Sequence, residues 1–247
     1  MNIEVLAILA AALVAFVTTA LTLLVQARSR REEHEKRQQD RIHHVISRYR
    51  EPLSSAAFDL QSRLINIVQF GFLEKYYVGR SDGDRYRFYA ENNTLWLVGQ
   101  YLAWVTIIRR EVRFLDLGSV EESRDLESLI NDVRKAFASD SRISDPAFRI
   151  FRGDQRAIGE LMTITRATGQ ETYSDSMGYA GFVASLKAGS DLEYWLHHLR
   201  DEIDVMAKDP TRRQRLNHIQ SALVDLVLFL DAENERFPRR NLTKLPT

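Results

Sequence analysis

The sequence predicts an all-α protein: a single N-terminal transmembrane helix, a charged helical stalk and a cytoplasmic multi-helix bundle. Three observations carry that prediction. Ile3 to Val25 is one unbroken apolar run, with polar groups only at Glu4, Thr18, Thr19 and Thr22. From Ile42 onward, apolar residues recur at helical spacing. No stretch alternates strictly over enough residues to make a strand, and five prolines and eleven glycines punctuate the 247 residues without forming a disordered tract.

Residues 1–27 read as the anchor. A helix rises about 1.5 Å per residue, so the run reaches roughly 34 Å, enough to cross a bilayer core of about 30 Å with some tilt. Val25-Gln26-Ala27 resembles a cleavage site, but a secretory signal carries a basic start and a shorter apolar stretch. Met1-Asn2-Ile3-Glu4 has no Lys or Arg. Arg28, Arg30, Arg31, Lys36, Arg37 and Arg41 follow the run. Positive residues beside a span stay in the cytosol, so the N-terminus is expected outside and the remainder of the chain inside the cell membrane. Ala7, Ala11, Ala15 and Thr19 recur every four residues on one stripe. Small residues at that spacing let two helices approach closely in lipid, so the stripe is the expected self-association surface of a homo-oligomer.

Residues 28–41 contain no large apolar side chain and read as a juxtamembrane stalk. Glu32 with Lys36 and Glu33 with Arg37 are i,i+4 pairs that favour a solvated helix, although a basic linker lying on anionic headgroups fits too.

The α-helical domain is expected over 42–237. After Pro52, Leu53, Ala56, Leu60, Leu64, Ile67 and Gly71 mark one face of a first helix, and Gly79 to Asp84 is the clearest turn. A second helix is predicted from Tyr86 to Leu117. Its stretch Thr94 to Ile108 is almost wholly apolar, yet it is too short for a span and has Gln100 at its middle, so it reads as the central core helix. A third helix is predicted from Val120 to Ser139, with Leu126, Leu129, Ile130, Val133 and Phe137 inward. Asp154 is the expected cap of a helix running to Thr168, followed by a polar loop from Gly169 to Gly178. Shorter helices are expected at Tyr179–Ala188 and Asp191–Ala207. Pro210 opens a final helix with Leu216, Ile219, Leu223, Leu226, Val227 and Leu230 inward. Residues 238–247 read as a loose basic tail.

Composition narrows the function. With 34 basic and 34 acidic residues the formal charge is zero, and no nucleic-acid partner is expected. The absence of cysteine excludes disulfides and thiol chemistry and agrees with a reducing compartment. No HExxH, GxSxG, GxxxxGK[ST] or GxGxxG occurs. His43-His44 and His197-His198 are adjacent pairs that point about 100° apart on a helix and do not chelate one ion. No catalytic residue, metal ligand or cofactor is therefore expected.

Two arginine clusters remain. Arg149, Arg152 and Arg156 gather at the start of a predicted helix, where free backbone N–H groups favour anions. Either they bind a phosphate or carboxylate, or they pair with Asp154, Glu160 or acids of neighbouring helices. Arg109, Arg110 and Arg113 stand at the end of the core helix, where cations complement the helix terminus. Should both clusters meet in space, anion binding gains weight. Arg212, Arg213, Arg215, Arg236, Arg239, Arg240 and Lys244 read either as a contact with anionic lipid or, by default, as a solvated helix face and tail.

Phe58-Asp59-Leu60-Gln61-Ser62-Arg63-Leu64, Gly99-Gln100-Tyr101-Leu102-Ala103-Trp104-Val105 and Phe151-Arg152-Gly153-Asp154-Gln155-Arg156-Ala157 resemble segments of membrane-anchored helical proteins of bacteria. That resemblance implies a bacterial, largely helical domain and no activity. The expected function is noncatalytic: a scaffold that docks an unidentified cytosolic protein at the lipid bilayer, as a homo-oligomer. The alternative is a membrane effector in which an anion or nucleotide, a phosphorylated small ligand, binds the arginines and acts on associated spans.

Overall fold

The computed structural model describes residues 26, 49–78, 84–111, 120–140, 147–169, 171–187, 189–233 and 235–246. The chain divides into two compact units, Met1–Val45 and Ile46–Thr247. The apolar run, the stripe of Ala7, Ala11, Ala15 and Thr19, and the stalk all lie outside the described residues. Among the described residues no helix is long and apolar enough to cross a membrane.

The second unit is mostly helical. Its elements are α1 (49–69), a π-helical turn Glu74–Val78, α2 (Asp84–Glu111), α3 (Val120–Ala138), α4 (Arg152–Leu161), the strands β1 (Thr163–Thr168) and β2 (Glu171–Ser176), α5 (Tyr179–Ser185), α6 (Asp191–Lys208) and α7 (Gln214–Leu230). The apolar spacing read from sequence is the spacing that is buried. Leu53, Ala56, Leu60, Leu64 and Ile67 line the inner face of α1, and all six inward residues expected for α7 are buried. In α3, Ile130, Val133 and Phe137 are buried, whereas Leu126 and Leu129 are half-buried. Gly71 stands beyond the end of α1 at φ 63°, a conformation glycine adopts without cost.

α2 is the central helix. From Leu95 to Ile108 nearly every side chain is buried, including Tyr101 and Trp104, and α2 packs against α4, α5, α6 and both strands. Trp96 donates its indole N–H to the Met177 carbonyl at 2.9 Å, tying α2 to the segment after β2. At the α2–α4 crossing, a Cβ on Gly159 would come within 2.2 Å of Thr106 Oγ1 and 2.6 Å of the Leu102 carbonyl oxygen. The absence of a side chain there lets the two backbones approach.

Arginine side chains close several helix ends. The last carbonyls of a helix have no partner within it and carry the negative end of its dipole. Arg215 of α7 is 1% exposed and donates to the carbonyls of Ala136, Phe137 and Ser139 around the end of α3, and to Ala147. Arg213 donates to Met206 in the last turn of α6 and to Ile67 near the end of α1, and pairs with Glu74 at 2.7 Å. Arg50 of α1 donates to Phe229 and Leu230 at the end of α7. The expectation that Arg213 and Arg215 sit on a solvated face is thus corrected, because carbonyls that need donors draw these guanidinium groups inward.

Three further expectations are corrected. The helix expected to reach Thr168 ends at Leu161, and Thr163–Thr168 pairs antiparallel with Glu171–Ser176, where a loop was expected, with Thr168 opposite Glu171 and Gly169 at φ 63°. Thr163, Ile164, Thr165, Thr168 and Thr172 are β-branched and favour extended backbone over helix. The helix itself starts at Arg152, two residues before the expected cap; Phe151 is its N-cap residue and Asp154 lies in its first turn. Lastly, the tail is docked. Leu242 and Leu245 are buried, and Phe237 stacks on Phe58 with centroids 4.2 Å apart. Gln220 donates to Gln61 and to the Thr243 carbonyl and accepts from the Leu245 N–H, while Gln61 donates to the Asn241 carbonyl.

Two outcomes test this packing. Gly159→Ala is expected to cost about 1–3 kcal/mol by forcing α2 and α4 apart, read as a lower denaturant midpoint at unchanged slope; wild-type stability would contradict the close approach. Arg215→Met is expected to lose about 3 kcal/mol or more, since it strands buried carbonyls at the end of α3; a loss no larger than a surface substitution gives would show that the cap contributes little.

Candidate anion-binding cleft

The two arginine clusters meet in part. α2 ends with Arg109 and Arg110 in its last turn, and α4, crossing at Gly159, carries Arg156 on the same side. α3 adds Arg134. Together with Leu102, Val105, Thr106, Gln155 and Glu160 these four arginines line a cleft of about 320 Å³. A lining of apolar side chains and guanidinium groups suits a small anionic ligand.

The cations outnumber their partners. Arg110 pairs with Glu160 at 3.2 Å. Among the described residues, no carboxylate pairs with Arg109, Arg134 or Arg156. Burial holds the Arg134 guanidinium below the usual arginine range, and the positive charges of Arg109, Arg152 and Arg156 push it in the same direction. Arginine stays protonated regardless, so the crowding appears as electrostatic repulsion that an anion would relieve. Gln155 is almost fully buried; its amide N–H groups go to the carbonyls of Arg134 and Ile150, and its Oε1 has no donor.

The remaining expected residues divide. Arg149 does not join the cleft: it pairs with Asp140, lies 4.8 Å from the Phe151 ring centroid, and its carbonyl oxygen is 3.3 Å from His198 Nε2. Arg152 is exposed at the first position of α4 and acts on the cleft through its charge on Arg134. Arg113 lies outside the described residues. Sequence reasoning missed Arg134 and Gln155. The available signal for Arg134 was its place four residues after Ile130, at the border of the buried stripe of α3. Among the described residues, no group of three or more His, Asp or Glu side chains could hold a metal ion.

The chain matches no protein-family model, and comparison with curated proteins and with solved structures likewise gave no match.

Asp140 supplies a pH test. The hydrogen bond from Arg149, aided by the charges of Arg149 and Arg215, holds its carboxyl below the usual value of 3.8. Its contribution to stability is therefore complete above 3.8 and is lost as pH falls through the lower folded value. Melting temperatures of wild type and Asp140→Asn are expected to differ near neutrality and to converge in acid; parallel curves throughout would show that the ion pairs are not formed.

Proposed function

We propose that the helical unit is a noncatalytic module that binds a phosphorylated small ligand in the cleft of Arg109, Arg110, Arg134 and Arg156. The observation carrying this reading is the convergence of four guanidinium groups, from three helices, on one cleft that contains a single carboxylate partner. Planar guanidinium forks match phosphate oxygens with paired hydrogen bonds. In this reading the apolar run Ile3–Val25 tethers the module to a membrane, and the Ala7, Ala11, Ala15 and Thr19 stripe pairs the tethers. Occupancy of the cleft would bias the helices on which the arginines stand. A cytosolic partner protein would sense that change.

Inorganic pyrophosphate is the probe. At a concentration 100 times its dissociation constant it should stabilise the full-length protein by about 2.7 kcal/mol, read as a higher melting temperature than in chloride of equal ionic strength. Arg134→Gln is expected to abolish that shift while leaving the melting temperature without pyrophosphate unchanged or raised, because it removes like-charge crowding. A variant that melts lower and still responds to pyrophosphate would overturn the reading and make Arg134 a structural residue only.

A further inference from the structure

A second cleft, apart from the arginine cleft, lies where α1 and the segment after it meet the beginning of α2. Its volume is about 890 Å³. Among the described residues the lining has three cations and no acid: Arg63 from α1, Lys75 from the π-helical turn and Arg85 from α2. Aromatic rings fill the spaces between them. Tyr76 and Tyr86 stack at 6.2 Å and 30°, and Tyr89 and Phe70 belong to the same lining while remaining 45% and 68% exposed.

Arg63 shows that this is a built site. It is 8% exposed and has no carboxylate partner among the described residues. One nitrogen, Nη2, donates to Asn93 Oδ1 and to the Tyr89 hydroxyl, and the guanidinium carbon lies 4.0 Å from the Phe72 ring centroid and 5.4 Å from that of Tyr89. The other terminal nitrogen, Nη1, is buried and has no acceptor. A buried cation held by ring faces and one amide is a costly arrangement, and burial pushes its pKa down. Nη1 is a donor in need of an acceptor. Exposed large aromatics on a folded surface are themselves a mark of a contact surface.

A ligand that satisfies all of these features has a flat π face for the tyrosines and oxygen anions for the cations. We propose that this cleft binds a nucleoside monophosphate, with the base against the Tyr86 and Tyr89 rings and the phosphate held by Lys75, Arg85 and Arg63. Stacking on aromatic side chains accepts any base, since every base has a π face, so the site is expected to discriminate weakly among bases. The cleft volume is within the range of small-molecule sites. A single nucleotide, and no longer strand, is the occupant the cleft favours: the chain has no net positive charge to hold a polyphosphate backbone along its surface.

The test is calorimetric titration of the full-length protein with the 5′-monophosphates of adenosine, guanosine, cytidine and uridine, beside ribose 5-phosphate and adenosine. Saturable binding of the nucleotides is expected, with both fragments weaker. Arg63 is buried and its replacement endangers the fold, so the deciding variants are exposed. Tyr86→Ala and Arg85→Ala are each expected to weaken nucleotide binding at least about fivefold, and Lys187→Ala, at an exposed residue that lines neither cleft, to leave it unchanged. Ribose 5-phosphate binding as tightly as the nucleotides would overturn the aromatic role. Loss in Arg156→Ala with retention in Tyr86→Ala would move the nucleotide to the other cleft and overturn this assignment. Tighter binding of a single-stranded oligonucleotide would replace the proposed occupant with nucleic acid, and no binding by any monophosphate would end the proposal.

Discussion

Unpaired carbonyls at helix ends are the constraint on which this structure depends. A bundle of helices buries its ends wherever the chain must turn inside the fold, and each end presents carbonyls that no residue of the same helix satisfies. Here long guanidinium side chains from other helices meet that demand. Arg215 serves α3, Arg213 serves α6 and α1, and Arg50 serves α7. Each of these side chains spans elements far apart in sequence, so each cap is also a tie. Arginine suits the task because one planar group supplies several donors in fixed directions.

The order of elements then follows from where those ties can form. α7 lies against α3 and supplies its cap, α1 lies against α7, and the C-terminal segment closes over both through Gln61 and Gln220. α2 fills the centre on the other side, where the close approach at Gly159 brings α4 against it. The arginine cleft is a consequence of that crossing. Arg109 and Arg110 in the last turn of α2 meet Arg156 of α4 there, and Arg134 of α3 joins the same lining.

The same residue type thus has opposite roles in one molecule. Arg213 and Arg215 are buried and engaged with backbone carbonyls and with the carboxylates of Glu74 and Asp140, which makes them part of the scaffold. Among the described residues Arg109, Arg134 and Arg156 pair with no carboxylate, so their mutual repulsion remains. Arg63 stands between these cases: its burial is structural, but its unmatched nitrogen is not explained by the fold. An arginine's role is decided by whether its donors already have acceptors.

The helical class, the inner faces of α1 and α7 and the central place of α2 were legible in the sequence, because hydrophobic burial follows a period of 3.6 residues whichever neighbours are present. Three of the four cleft arginines were legible as local clusters of charge: Arg109 and Arg110 in the last turn of α2, and Arg156 within α4. The hairpin was not, since its strands are short and partly exposed, and their β-branched threonines compete with a helical pattern running into them. Nor was the docking of residues 238–246, which rests on two glutamines far upstream. Only tertiary structure decided which arginines cap helix ends and which, among the described residues, have no carboxylate partner. Charge is a local property that sequence displays, whereas the partner of a charge is set by elements distant along the chain.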